Sequence, residues 1–150
     1  MEAASLFVRD IMSSPVITGD ENETIKKIAT KMRKHNIGSV VIVNDKNKPM
    51  GMITQGDIVR RIATFKNKSL YSSKVKEAMS RPVVTIESQT KIEEAARLMV
   101  GKKIKRLCVV NKDKKLVGII SDNDIMKNSS YLIDVLSEMV NTGYVKENSY

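Results

Sequence analysis

Shifted by 67 positions, the chain falls on itself: residues 8–62 align with residues 75–129 without a gap, and 17 of the 55 pairs are identical. The identical pairs include Met12/Met79, Pro15/Pro82, Thr18/Thr85, Ile25/Ile92, Met32/Met99, Ile37/Ile104, Gly51/Gly118 and Asp57/Asp124. Two copies of one unit therefore make up most of the 150 residues, and one fold must serve both. A unit of about 55 residues buries too little surface to be stable alone, so the copies are expected to share one module.

Each copy has the same local pattern. Pro15 and Pro82 precede short β-branched runs, which predicts a strand entrance. Ile25, Ile28, Ala29 and Met32, like Ile92, Ala95, Ala96 and Met99, form one apolar helix stripe. The runs SVVIV (39–43) and RLCVV (106–110) predict strands covered on both faces. Polar turns and the strands MGMIT and LVGIIS follow, as in an antiparallel hairpin, and then second helices over 57–65 and 124–127. The expected fold is α/β: two β-α-β-β-α repeats packed sheet-to-sheet about a pseudo-twofold axis, plus a C-terminal helix. The expected partition is residues 1–65 for the first repeat, 66–74 for a linker, 75–129 for the second repeat and 130–150 for the helix and tail. The C-terminal stripe is Leu132, Ile133, Val135, Leu136, Met139 and Val140, with Gly143 as its stop.

The strongest motif is a doubled one. GMITQGDI and GIISDNDI each set a glycine three residues before a hydroxyl, and an aspartate three residues after it: Thr54 with Asp57, Ser121 with Asp124. Ser/Thr-x-x-acid ahead of a helix is a capping box, in which hydroxyl and carboxylate satisfy orphan N–H groups. Capping does not account for the short Asp in both copies, nor for Gly51 and Gly118, where a missing side chain lets another group approach. A carboxylate at a strand–helix junction can also accept from the cis-diol of a ribose, with free N–H groups near a phosphate. Phosphate then needs cations. KKIKR (102–106) offers them, with Lys105 and Arg106 where the first copy has Gly38 and Ser39. The same run also fits a solvated helix exit.

The two-copy β-α-β-β-α order, MSSP and MSRP near each start and Gly-x-x-Thr/Ser-x-x-Asp near each end resemble a CBS domain pair, or Bateman module, over residues 8–129. The resemblance implies a disc-like unit, often a homodimer, whose clefts between copies bind AMP, ADP, ATP or S-adenosylmethionine. It puts the ribose-binding aspartate on Asp57 and Asp124 and the hydroxyl partner on Thr54 and Ser121. Adenine contacts fall on Val16, Ile17 and Thr18, and on Val83, Val84 and Thr85. The strand-entrance phosphate contact falls on Lys105 and Arg106, and the first copy departs from it at Gly38 and Ser39. Since the basic entrance of one copy can face the aspartate of the other, the resemblance makes the Asp57 cleft the stronger candidate for a charged nucleotide. It also implies a non-enzymatic regulator whose bound ligand shifts a conformation that an effector protein reads, with an adenosine nucleotide as regulatory ligand and no cofactor.

Composition sets the alternatives. With 26 Lys+Arg against 17 Asp+Glu, the net charge is +9, which suits anionic partners and makes nucleic acid the second reading. Four Tyr, two Phe and no Trp leave little for a base-stacking platform. A third reading is a structural dimerisation module with decayed ligand sites. No apolar run approaches the roughly 20 residues of a membrane span, and no secretory signal is expected. Single Cys108 is read as a buried thiol in a reducing, cytoplasmic setting, and lone His35 as a surface residue at a helix end. Of the nine methionines, Met12, Met32, Met79 and Met99 sit in repeat-equivalent pairs and are read as core. No Ser-His-Asp set, Walker loop or metal-ligand cluster is visible, so no catalysis is expected.

Overall fold

The computed structural model describes residues 6–64 and 72–128, together with Asn141. The C-terminal stripe and most of the linker lie outside the described residues. The elements are α1 (Val8–Ile11), β1 (Thr18–Gly19), α2 (Ile25–His35), β2 (Ser39–Val43), β3 (Pro49–Thr54) and α3 (Gln55–Thr64). A 3₁₀ turn (Val75–Glu77) then opens the second copy, followed by β4 (Thr85–Glu87), α4 (Ile92–Lys102), β5 (Arg106–Val110), β6 (Leu116–Ser121) and α5 (Asp122–Lys127). The doubled β-α-β-β-α order is present, each copy preceded by a short helical turn that the apolar pattern did not announce.

Two three-stranded sheets result, ordered β1-β2-β3 and β4-β5-β6. In the first, β1 runs parallel to β2 and β2 antiparallel to β3, as the short polar turn requires. The first strand is only two residues long, because Asp20 turns the chain: its carboxylate accepts from Asn22 N–H (2.8 Å) and its N–H donates to Glu23 (2.8 Å). Helix α2 buries Ile25, Ile28 and Met32, with Lys26, Lys27, Arg33 and Lys34 outside. Its counterpart α4 buries Ile92, Ala95, Ala96 and Met99. Three consecutive residues of β2 and four of β5 are buried, so both faces of each central strand are covered.

The compact units cut across the repeats. Among the described residues, one gathers 6–14 with Val84–Asp113 and 117–128; the other gathers 15–64 and 72–83 with Lys114–Leu116. The hydrogen bonds give the reason. Val8 N–H donates to the Thr90 carbonyl (2.8 Å), and Ser13 exchanges a pair of bonds with Ile119 (2.8 and 3.1 Å). At the equivalent positions Val75 N–H donates to the Glu23 carbonyl (2.8 Å), and Ser80 exchanges a pair with Met52 (2.9 and 3.0 Å). Even the first N–H of each long helix is satisfied this way, Ile25 by the Ser73 carbonyl and Ile92 by the Leu6 carbonyl. Side chains follow the backbone. Val8 is buried in a core with Ile92, Met99, Leu107 and Ile120, whereas Val75 and Met79 are buried with Ile28, Val40 and Ile53. Each copy thus lends its opening segment to the sheet of the other.

Candidate functional site

The doubled motif straddles a strand–helix junction in each unit. Strand β3 ends at Thr54 and α3 starts at Gln55, two residues before the start expected from the apolar pattern, because the hydroxyl caps the helix. Asp57 N–H donates to Thr54 Oγ1 (3.2 Å), and Thr54 N–H donates to Asp57 Oδ2 (2.9 Å). In the second copy Asp124 N–H donates to Ser121 Oγ (3.1 Å), and Ser121 N–H donates to Asp124 Oδ2 (2.8 Å). Both are reciprocal capping boxes. Any ligand chemistry must use what the cap leaves over, namely Oδ1 and the remaining lone pairs of each carboxylate.

The glycine of the motif also finds its partner. A Cβ on Gly51 would lie 2.7 Å from Met79 Sδ and 3.0 Å from the Ser80 carbonyl; one on Gly118 would collide with Met12. The close approach inferred from sequence is made by the exchanged segment.

Around each box the fold gathers most of the residues singled out from sequence. Gln55 N–H donates to the Gly38 carbonyl (3.0 Å) and Asp122 N–H to the Lys105 carbonyl (2.9 Å), so each strand entrance is tied to the first turn of the helix beyond its box. Ser39 is the cross-strand partner of Thr54. Thr18 pairs with Val41, two residues beyond Ser39 on β2, and Val16 and Ile17 lead into β1. Val84 accepts from Cys108 N–H (3.1 Å), which continues the β4–β5 ladder toward Arg106. One set is therefore Val16, Ile17, Thr18, Ser39, Thr54 and Asp57. The other is Val84, Thr85, Lys105, Arg106, Ser121 and Asp124, while Val83 belongs to the unit of the first set. All are half-buried except Thr85, which is exposed, and Asp57, which is buried.

The basic run divides in two. Lys102 closes α4 and Lys103 is its left-handed cap, both exposed, while Lys105 and Arg106 are half-buried at the start of β5. Arg60, not among the residues singled out from sequence, places its Nη2 2.5 Å from Asp57 Oδ1. Its signal was there, an acid and a base three apart on one helix face. A groove of about 540 Å³ opens nearby between α2 and α3, lined by Met32, Asn36, Ile37, Gln55, Ile58 and Val59; neither Thr54 nor Asp57 lines it.

Cys108 is fully buried, and that burial pushes its thiol up to about 12, so it packs as a small apolar group. Met32, Met79 and Met99 are buried, as expected of core methionines, whereas Met12 is half-buried and packs against the core of the second copy. His35 is exposed in the last turn of α2. Among the described residues no group of three or more His, Cys, Asp or Glu could hold a metal ion, and no helix is long and apolar enough to cross a membrane.

The model of the CBS domain family matches residues 8–64 and 75–131. Protein MK0525 of Methanopyrus kandleri is 41% identical over 134 residues, covering 89% of this chain and 68% of that protein. The L-aspartate semialdehyde sulfurtransferase of Methanocaldococcus jannaschii is 32% identical over 127 residues, 85% of this chain but 24% of that enzyme. Among solved structures, the CBS domain pair of protein MJ0100, in complex with 5′-methylthioadenosine and S-adenosyl-L-methionine, superposes with a TM-score of 0.74 at 30% identity, over 83% of this chain and 96% of that one. With the α/β topology, the repeat and the motif all in register, the chain belongs to the CBS domain family and is a tandem pair of CBS domains.

Proposed function

We propose that the chain is a non-enzymatic regulatory module that binds adenosine ligands through the carboxylates of Asp57 and Asp124. One observation carries this reading: both copies put the same short carboxylate at the same strand–helix junction, tied to a strand entrance, with Oδ1 not used by the cap. A cis-diol needs an acceptor of that kind, and an adenine needs a flat apolar edge such as Val16, Ile17 and Thr18, or Val83, Val84 and Thr85. The methylthioadenosine and S-adenosylmethionine bound by the MJ0100 pair support the ligand class. Lys105 and Arg106 support an anionic member of it, such as AMP, ADP or ATP. Occupancy shifts a conformational population that an effector protein or a homodimer reads. The buried single thiol supports residence in the cytoplasm.

Thermal melting of the full chain with each adenosyl ligand tests the proposal. A ligand at about 100 times its Kd adds about 2.7 kcal/mol, which raises Tm by roughly 5–10 °C for a chain of this length. Asp57→Ala and Asp124→Ala together are expected to abolish the shift, and no shift with any adenosyl ligand defeats the reading. The net charge of +9 favours polyanion binding as the second reading. That reading predicts retention on nucleic acid that falls steeply with salt and survives both substitutions.

A further inference from the structure

Resting on the adenosine-ligand reading, we infer that Arg60 is the specificity residue of the Asp57 site, a counter-ion that gives way to the ribose and then pairs with the 5′ substituent, so that this site selects anionic ligands. Asp57 is 8% exposed, and its two oxygens are both engaged: Oδ2 by Thr54 N–H (2.9 Å) and Oδ1 by Arg60 Nη2 (2.5 Å). A diol donating to Asp57 must therefore share or displace the Arg60 contact. The displaced group is not lost in a hydrophobic interior, since the Arg60 side chain is 72% exposed and water can solvate it.

Displacement has different consequences for different ligands. In an adenosine 5′-phosphate only C4′, C5′ and O5′ separate C3′ from phosphorus, so a guanidinium released from the diol-binding carboxylate is beside the phosphate. The ion pair is exchanged, not broken. With 5′-methylthioadenosine the guanidinium is left to solvent, and with a sulfonium it faces a like charge.

The geometry around Arg60 is built for this. The guanidinium lies over Gly56: a Cβ there would touch Nη1 at 3.4 Å, Thr54 Oγ1 at 3.7 Å and Nη2 at 3.8 Å, all ordinary contact distances. The second copy lacks both parts. Asn123 stands at the position of Gly56, and exposed Lys127 at that of Arg60. Among the described residues Lys127 makes no ion pair with Asp124, whose hydrogen-bonded oxygen is the one bound by Ser121 N–H. The Asp124 carboxylate thus has no counter-ion on its own helix among the described residues, and the cations of its set, Lys105 and Arg106, stand at the strand entrance instead.

The test titrates AMP and 5′-methylthioadenosine into the full chain by calorimetry, in an Asp124→Ala background so that one site reports. Two-site isotherms of the otherwise unaltered chain serve if that background does not fold. Arg60→Gln, on an exposed side chain, is expected to weaken AMP about tenfold while leaving or improving methylthioadenosine, and Arg60→Lys to recover part of the loss. Equal loss of both ligands in Arg60→Gln, or no loss of AMP while Asp57→Ala abolishes binding, overturns the role of Arg60 and leaves the adenosine reading standing. If the unaltered chain binds neither ligand, the adenosine reading itself falls, and this inference with it.

Discussion

The two copies share a fold but finish its edges with different chemistry. In the first, Thr24 caps α2 by accepting from Lys27 N–H (3.2 Å), and Glu23 reaches Lys27 (3.6 Å) and Lys31 (3.0 Å). In the second, Lys91 stands at the cap of α4 with no side-chain bond, and the first turn carries Glu93 and Glu94, which favour the positive helix end. Helix α2 leaves through Asn36 at φ 52°, α4 through Lys103 at φ 55°; the hairpins turn through Asn47 and Lys114, both also left-handed. Asn adopts that conformation more readily than Lys does. The second copy offsets these poorer ends with a more apolar helix, in which Ala95 and Ala96 are both fully buried. Edges can therefore diverge while the positions that touch the exchanged segments stay alike. The pairs Val8/Val75, Met12/Met79 and Gly51/Gly118 are identical, and each belongs to such a contact.

The most direct way to break the comparison is to attack an exchanged side chain. Val8→Ala removes two buried methyl groups from the core of the second copy and is expected to cost about 2–3 kcal/mol. Native-state hydrogen exchange decides where the loss falls. Amides of β5 and β6 should lose protection, although Val8 lies in the first repeat by sequence. Loss confined to β2 and β3 would mean that the exchange is wrong. Val75→Ala is expected to give the mirror result. Gly51→Ala comes next, at about 1–3 kcal/mol, because the new methyl meets Met79 Sδ and the fixed Ser80 carbonyl. Combining it with Met79→Ala, which opens space for the methyl, should recover part of the loss, a coupling visible in a double-mutant cycle.

These contacts also mark what could be read from the sequence. The periodicities located both long helices and both central strands, because those positions face the core of their own copy. The capping boxes were legible, because they are local. The exchange was not, since Val8 and Val75 look the same whichever sheet they enter, and an apolar residue carries no address. The glycines announced a close approach without naming the methionine that makes it. Arg60 carries a fainter signal, one acid–base pair three apart on a helix, than the run KKIKR, half of which only closes a helix.

A subtler asymmetry concerns acid. Burial alone would raise the Glu23 carboxyl, but the hydrogen bond from Asp20 N–H and the Lys31 ammonium outweigh it and hold the group below its ordinary 4.5. A carboxylate lowered on folding contributes stability above its unfolded value, and that contribution is lost as pH falls through the folded one. Glu23→Gln is therefore expected to cost about 1 kcal/mol at pH 7 and nothing in strong acid, so its melting curve and that of the unaltered chain converge below pH 4.5. Thr90, at the same place in the second copy, cannot titrate. A Thr90→Ala chain should differ from its parent by the same amount at both ends of the pH range.

The smallest expected effect is also the sharpest probe of the comparison. If the second copy tolerates Lys103 at φ 55° only because α4 is otherwise well buried, giving it the residue of the first copy should relieve a strain that nothing else in the structure requires. Lys103→Asn is thus expected to stabilise by about 0.5–1 kcal/mol, and Asn36→Lys to destabilise by a similar amount. Both side chains are exposed, so lost packing does not enter. Equal and opposite shifts in denaturation midpoint, with unchanged slope, would locate the difference in backbone conformation alone. If Asn36→Lys were neutral while Lys103→Asn still stabilised, the effect would come instead from removing one charge from the neighbourhood of Lys102 and Lys105.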